Sequence, residues 1–299
     1  MTHPNEPVLV SVYMPTKDRL DLVRAAVDSV LAQTYRPIEL IVVNDGSTDG
    51  TRAYLDALVA SNPLVRAIHH DKPLGAPRSR NEAIKASRGA WVTGLDDDDQ
   101  FKPHRIEALL QFALMLEKMR TPFSAVYSQY NTVRGAEARP TAKRGSVKLD
   151  DLFEMNSVGN QIFLRKESMI AAGLFDETLP AWQDLDMIMR VVAMHGPARI
   201  FDAPLYDFCD DERPDRISRK AKAKILDAYR RVVAKWPNAS KRSKRALYQQ
   251  VFGEHYGFPI EWTDLSGYLA LGATPLEFLR MCRTSWRRRR RLNSVPRTS

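Results

Sequence analysis

Gly94-Leu95-Asp96-Asp97-Asp98-Asp99 follows the apolar, β-prone lead-in Ala90-Trp91-Val92-Thr93, and its reading decides the fold. Four adjacent carboxylates repel one another, so they need either water or a positive partner. Three readings are open. The first is a solvated acidic turn. The second is an EF-hand-type calcium loop, which fails because the loop glycine and closing glutamate are missing and Phe101 and Pro103 follow instead. The third is a strand that ends in a carboxylate cluster holding a divalent metal against a phosphorylated ligand. Magnesium and manganese suit it, as hard cations that take few protein carboxylates and complete their shells with phosphate oxygens.

The sequence on either side separates the first reading from the third. Val8 to Met14 (VLVSVYM) reads as a strand buried on both faces and is broken by Pro15-Thr16-Lys17-Asp18-Arg19. Leu20, Val23, Ala26, Val27, Val30 and Leu31 then repeat at helical spacing. Glu39 to Val43 (ELIVV) is a second buried strand, ending in the turn and helix cap Asn44-Asp45-Gly46-Ser47-Thr48-Asp49-Gly50. A helix from Thr51, a short strand near Val65-Ile68 and a helix opening at Gly75 lead to the strand Trp91–Leu95. Strands alternating with helices predict an α/β fold: a mostly parallel, doubly wound sheet with flanking helices and right-handed crossovers. Ligands of such sheets sit outside the carboxyl ends of the strands. Thr16 and Asp18, Asp45, and Asp96–Asp99 therefore converge on one site, which favours the metal reading over the solvated turn.

A nucleotide-diphosphate ligand matches this set. Asp45 can accept from a pyrimidine N–H, Thr16 can contact base or ribose, and metal on Asp98 can neutralise the diphosphate. No G-x-x-x-x-G-K-[ST] loop and no G-x-G-x-x-G follows the first strand, which disfavours a P-loop kinase and a dinucleotide dehydrogenase. The chain has 299 residues, 44% of them apolar, and a formal net charge of +9. It can bury a real core, and its charge favours an anionic partner: nucleic acid, anionic lipid or a phosphorylated substrate. No apolar run approaches the roughly 20 residues that span a bilayer, and the N-terminus shows no signal-peptide pattern. Cys209 and Cys282 lie far apart without metal-ligand spacing, so they are expected as free thiols in a cytoplasmic, reducing compartment.

VSVYMPTKDR, IVVNDGSTDG, GAPRSRNEAI and GLDDDDQFKP, in this order and spacing, resemble the inverting glycosyltransferases of family 2, which have the GT-A fold. The resemblance runs from about Val8 to His195. It implies donor-nucleotide contacts at Pro15, Thr16 and Asp18, and a uracil-binding carboxylate at Asp45. Asn44 stands where the family usually repeats aspartate. Arg80 and Asn81 fall on an Arg-Asn pair whose arginine serves the base or diphosphate, and Arg78 lies on the same helix. The Asp-x-Asp signature falls on Asp96, near the ribose, and Asp98, the two ligating Mn2+ or Mg2+; Asp97, at a position where a small residue is common, and Arg78 are expected with Asp96 on the donor-nucleotide side. Gln183 and Asp184 fall on a Glu-Asp pair whose aspartate is the general base. Asp184 is thus the candidate catalytic residue, although a carboxylate there is also a good helix cap. Gln183, Trp182 and Asn160 are expected on the acceptor side. Trp182 can stack on a sugar face or serve the core.

Phe101 to Met119 is expected as an amphipathic core helix, Ala125–Tyr130 as a strand, and Arg134–Ser146 as a basic, Gly/Pro-punctuated mobile loop near the acceptor. The expected division is a glycosyltransferase domain over 1–205, with a nucleotide-sugar half at 8–100 and an acceptor half at 101–205, then a basic helical C-terminal region over 206–299. Tyr206 to Asp215 is an acidic loop followed by Arg216-Ile217-Ser218-Arg219, a segment suited to closing over a diphosphate. Leu276, Leu279, Cys282 and Trp286 precede the run Arg287–Arg291, a pattern suited to peripheral contact with an anionic membrane surface on its cytoplasmic face. No aromatic-interleaved motif accompanies the run, which disfavours nucleic acid. The expected activity is metal-dependent inverting transfer from a UDP-sugar to a glycan or lipid-linked acceptor, as in bacterial surface-polysaccharide synthesis. A nucleotidyltransferase and a non-catalytic nucleotide-sugar or glycan-binding module are the alternatives. The first should carry a Gly-rich basic loop after the first strand, and PTKDR is not one.

Overall fold

The computed structural model describes residues 7–143, 145–210, 221–253, 256, 258 and 260–283. The chain folds into two compact units. The first comprises Met1–Leu149, Ser157–Glu177 and Gln183–Glu212; the second comprises Asp150–Asn156, Thr178–Trp182 and Arg213–Ser299.

The first unit is built on strands β1 (Val10–Thr16) and β2 (Ile38–Asn44), both buried at every position. Continuous burial is what a strand covered by helices on both faces requires, and it explains their unbroken apolar character. Helix α1 (Leu20–Leu31) buries Val23, Ala26, Val27 and Val30, the predicted stripe. Helix α2 (Thr51–Ser61), strand β3 (Val65–His69), helix α3 (Ala76–Ala86) and strand β4 (Trp91–Gly94) complete the alternation. β3, β2, β1 and β4 are neighbours in that order, all parallel. The registers Thr16↔Asn44 and Tyr13↔Gly94 bring the carboxyl ends of β1, β2 and β4 to one edge. Gly94 permits this close approach: a Cβ there would sit 2.7 Å from the Tyr13 ring.

Past β4 the sheet becomes mixed. β8 (Phe163–Arg165) runs antiparallel to β4 and to β6 (Ala125–Arg134), β6 pairs parallel with β9 (Ala198–Cys209), and β5 (Gln100–Phe101) closes the order antiparallel to β9. Parallel pairing thus holds through the first four strands of the order and again between β6 and β9, with antiparallel pairs between and after them. Helix α4 (Arg105–Lys118) packs the apolar face of Ile106, Leu109, Leu110, Ala113 and Leu116 into the core. The segment expected as a mobile loop after Arg134 instead folds back as strand β7 (Glu137–Thr141), antiparallel to β6. Gly135, at φ +55°, supplies the left-handed residue of the reversal, and Pro140 is tolerated because β7, among the described residues, is an edge strand paired with β6. Helices α5 (Leu149–Glu154) and α6 (Lys166–Ala171) are short, and α7 (Gln183–His195) carries the second predicted chemical motif.

The second unit contains helices α8 (Lys222–Lys235), α9 (Lys241–Val251) and α10 (Trp262–Ala270), and residues 275–283 are helical. Tyr229, Tyr248, Phe252 and Tyr268 form its aromatic centre. Arg216–Arg219, Trp286 and Arg287–Arg291 lie outside the described residues.

Candidate active site

The four aspartates leave β4 in different directions. Asp96 accepts hydrogen bonds from Arg80 Nη2 at 2.7 Å and Asn160 Nδ2 at 2.9 Å. Asp97 is buried and accepts from Thr16 Oγ1 and from Arg19 Nη1, both at 2.8 Å. It thereby ties the end of β1 to the end of β4. Burial pushes its carboxyl up to about 6, against the charge of Arg19 and the Thr16 hydroxyl. Asp98 is partly exposed, with Arg19 at 3.5 Å. Asp99 turns inward, accepting from Gln161 Nε2 at 2.7 Å and the Cys209 N–H at 3.1 Å. Behind it lies Arg105, a fully buried cation on α4 that donates to Ser128 Oγ and to the Gln161 carbonyl. Its guanidinium stacks over Phe101 and Tyr206, and burial lowers its pKa to about 10.

Carboxylate oxygens of Asp96, Asp98 and Asp99 lie within 4.8 Å of one another. This all-oxygen donor set fits a hard divalent cation such as Mg2+ or Mn2+. Asp96 and Asp98 are partly exposed, while Asp99 is buried among protein donors.

The other sequence-predicted residues sort by their contacts. Asp18, held at φ +52°, accepts from the Thr48 N–H at 2.7 Å, joining the loop after β1 to the turn after β2. Asn44, where the family usually has aspartate, closes that turn: its Oδ1 accepts from the Ser47 N–H at 3.0 Å. Asp45 accepts from His70 Nδ1 and from the N–H groups of Leu74 and Gly75. Burial disfavours its charge, but those hydrogen bonds outweigh burial and hold its pKa below the usual carboxylate value. Arg78 is exposed and turned to Glu82, at 3.1 Å one helical turn away. Asn81 is committed to structure, exchanging hydrogen bonds with the Phe175 backbone.

Asp184 sits near the start of α7, partly buried, where desolvation raises its pKa while the Leu185 N–H and the charge of Arg80 lower it; Asp96 raises it further. Arg80 is therefore common to both carboxylate groups: it is bonded to Asp96, lies over the Phe175 ring at 5.5 Å, and its charge acts on Asp184. Asn160, expected on the acceptor side, is bonded to Asp96, and its buried Oδ1 has no protein partner among the described residues. Gln183 opens α7. Trp182 belongs to the second unit, where its indole N–H donates to the Tyr256 hydroxyl at 2.8 Å. Sequence reasoning missed Arg19, His70, Glu82 and Gln161. Arg19, His70 and Gln161 are polar residues near strand ends and Glu82 is a polar residue on a helix, signals that do not say which partner each meets.

A parallel half-sheet whose strand ends gather carboxylates, a buried arginine and a helix-borne aspartate defines the class: an α/β transferase with a GT-A-type sheet. The sequence pattern of Glycosyl transferase family 2 matches residues 11–166. WcaA of Escherichia coli (strain K12), a glycosyl transferase named for colanic acid biosynthesis, is 31% identical over 249 residues, covering 82% of this chain and 88% of that protein. The chain belongs to glycosyl transferase family 2 and is a glycosyltransferase. Among solved structures it resembles Staphylococcus aureus TarS 1–349 in complex with UDP-GlcNAc, with a TM-score of 0.68 at 18% identity, over 88% of this chain and 79% of that one. It also resembles the mannosyltransferase PcManGT from Pyrobaculum calidifontis in complex with GDP-Man and Mn2+, with a TM-score of 0.54 at 16% identity, over 98% of this chain and 77% of that one. At such identities the likeness speaks for the GT-A fold. The nucleotidyltransferase and binding-module alternatives give way to the transferase.

Proposed function

We propose that this enzyme transfers a sugar, with inversion, from a UDP-sugar to a hydroxyl of a glycan or lipid-linked acceptor in the synthesis of a surface polysaccharide, lipopolysaccharide or glycolipid. The observation that carries the proposal is Arg80, whose guanidinium is bonded to Asp96 while its charge acts on Asp184. One cation thus links the carboxylates suited to the diphosphate side with the carboxylate suited to be the base. Asp184 takes the proton of the acceptor hydroxyl as that oxygen attacks the anomeric carbon. The bond from that carbon to the β-phosphate oxygen breaks in the same displacement, through an oxocarbenium-like transition state. Asp45, Thr16 and Asp18 orient the nucleoside, and Arg80 faces the diphosphate. Asp98 and Asp96 are the residues that would hold Mn2+ or Mg2+, which when bound supplies positive charge to the leaving diphosphate. WcaA's name and the UDP-GlcNAc complex of TarS support the donor class and the polysaccharide setting.

Attachment to the cytoplasmic face of an anionic membrane completes the proposal. In the second unit Trp262, Leu276 and Leu279 are exposed at 85%, 58% and 62%, and the helical residues 275–283 that carry the two leucines also carry the exposed cations Arg280 and Arg283. Among the described residues no helix is long and apolar enough to cross a membrane, so contact would be peripheral. Calorimetric titration of UDP, GDP and UDP-sugars, with and without Mn2+, into wild type and Asp98→Ala tests the donor site. Metal-dependent UDP binding lost in the variant is expected; binding indifferent to both metal and Asp98 would overturn the metal role. Unchanged liposome binding and unchanged activity on a lipid-linked acceptor after deletion of residues 273–299 would overturn the membrane role.

A further inference from the structure

His70 follows β3 and lies, partly buried, between two carboxylates. Its Nδ1 lies 2.7 Å from Asp45 Oδ1 and its Nε2 lies 2.6 Å from Glu82 Oε2. A neutral imidazole has one N–H and would turn a lone pair toward one of these carboxylates; only the imidazolium donates to both. The pairing joins two parts of the fold, since Asp45 directly follows β2 and Glu82 lies on α3. Arg78 completes the row at 3.1 Å from Glu82. Two carboxylates and two cations leave the row neutral. The flanking charges point elsewhere: His69 Nε2 meets Asp56 at 3.1 Å, and Asp71 is fully exposed, 3.8 Å from Arg52.

Asp45 has little left to give. Its Oδ1 accepts from His70 and from the Leu74 N–H, and its Oδ2 accepts from the Gly75 N–H at 2.8 Å. A carboxylate offers about four acceptor positions, so roughly one remains, on Oδ2. That position is aimed by the groups holding the other three. The same helix α3 carries Arg80 to Asp96.

We propose that His70 is a positioning residue for the donor nucleotide: as an imidazolium it fastens Asp45 to α3, fixing the one acceptor position left for the base N–H and the placement of Arg80. The inference rests on Asp45 serving the nucleotide. Loss of the ring proton leaves the row with net charge −1 and a lone pair facing a carboxylate, which loosens both elements. Burial by itself would lower the pKa of His70, but the hydrogen bonds and charges of Asp45 and Glu82 hold it above the ordinary histidine value. The clamp is thus complete below about pH 6.5 and fails as pH rises through the raised pKa.

The test measures the Kd of UDP with Mg2+ from pH 6 to 9 for wild type, His70→Gln and Glu82→Gln, alongside an NMR titration of the His70 ring. The ratio of wild type to His70→Gln cancels the phosphate ionisation of UDP itself. Wild type should bind roughly tenfold tighter than His70→Gln at low pH, the size of one charge-assisted hydrogen bond, and the ratio should fall toward one across the NMR-observed pKa. Glu82→Gln removes one carboxylate and should move that step to lower pH. The donor KM should rise across the same pKa. A ratio that does not change with pH, or a step unmoved in Glu82→Gln, would overturn the positioning role while leaving UDP binding intact. Absence of any UDP binding by wild type would defeat the donor reading and this proposal together.

Discussion

Asp184 is the residue on which the chemistry turns, and asparagine and alanine separate its two conceivable roles. Its carboxylate accepts from the Leu185 N–H at the start of α7, so it helps cap the helix, and burial raises its pKa. Asparagine keeps an oxygen acceptor of the same shape at the helix start but cannot take a proton; alanine loses both. Losing a cap costs about 1 kcal/mol, which shifts Tm by about 2–4 °C in a domain of this size. Losing a general base costs roughly 10²–10⁴ in rate, or about 3–5 kcal/mol of activation free energy. The charge itself adds no stability: a carboxyl whose folded pKa exceeds its unfolded one destabilises the fold at pH above both, so removing the charge relieves that penalty. Asp184→Asn should therefore unfold at or slightly above the wild-type temperature at pH 8, bind UDP within about twofold of wild type, and lose about a thousandfold in kcat. Asp184→Ala should show the same kinetic loss plus the Tm decrease. Scanning calorimetry, UDP titration and a UDP-release assay suffice. Asp184→Asn with kcat within about tenfold of wild type would refute the base and leave the cap.

Other expectations follow from neighbouring contacts. The acid limb of kcat/KM should lie above the ordinary aspartate pKa, with activity appearing as pH rises through it, because the base must be ionised and burial raises its pKa. Arg80→Met should move that limb to higher pH by removing the charge that lowers it; an unmoved limb assigns the ionisation to another group. Asp97→Ala frees Thr16 and leaves Arg19 without its closest carboxylate, and should cost about 1–3 kcal/mol in urea unfolding while raising the donor KM. Arg105→Met should cost about 2–4 kcal/mol, because it leaves two buried acceptors behind Asp99, Ser128 Oγ and the Gln161 carbonyl, without their donor. A loss below about 1 kcal/mol would show that this cation is dispensable to the core.

Much of the architecture was local information. Two-sided strands such as VLVSVYM and ELIVV, the helical stripe from Val23 to Val30, and turns rich in Asp, Asn and Gly are set by periodicity and backbone preference within a dozen residues. Parallel pairing then forces the strand ends to one edge, so Thr16, Asp45 and Asp96 could be brought together from the pattern alone. The direction each aspartate takes could not. Within a strand alternate residues face opposite sides, but beyond Gly94 the backbone is a turn, and orientation depends on partners distant in the chain. Asp97 is fixed by Thr16, 81 residues away, and Asp96 by Asn160, 64 residues away. The same holds for Asn160, which the sequence assigned to the acceptor side and the fold bonds to Asp96, and for residues 137–141, which read as a loop because Gly135 and Pro140 hide a strand supported by its pairing with β6. His70 carries no motif at all. Its role arises because β2 and α3 place a carboxylate at each ring nitrogen, and only the folded chain brings those two charges to one imidazole.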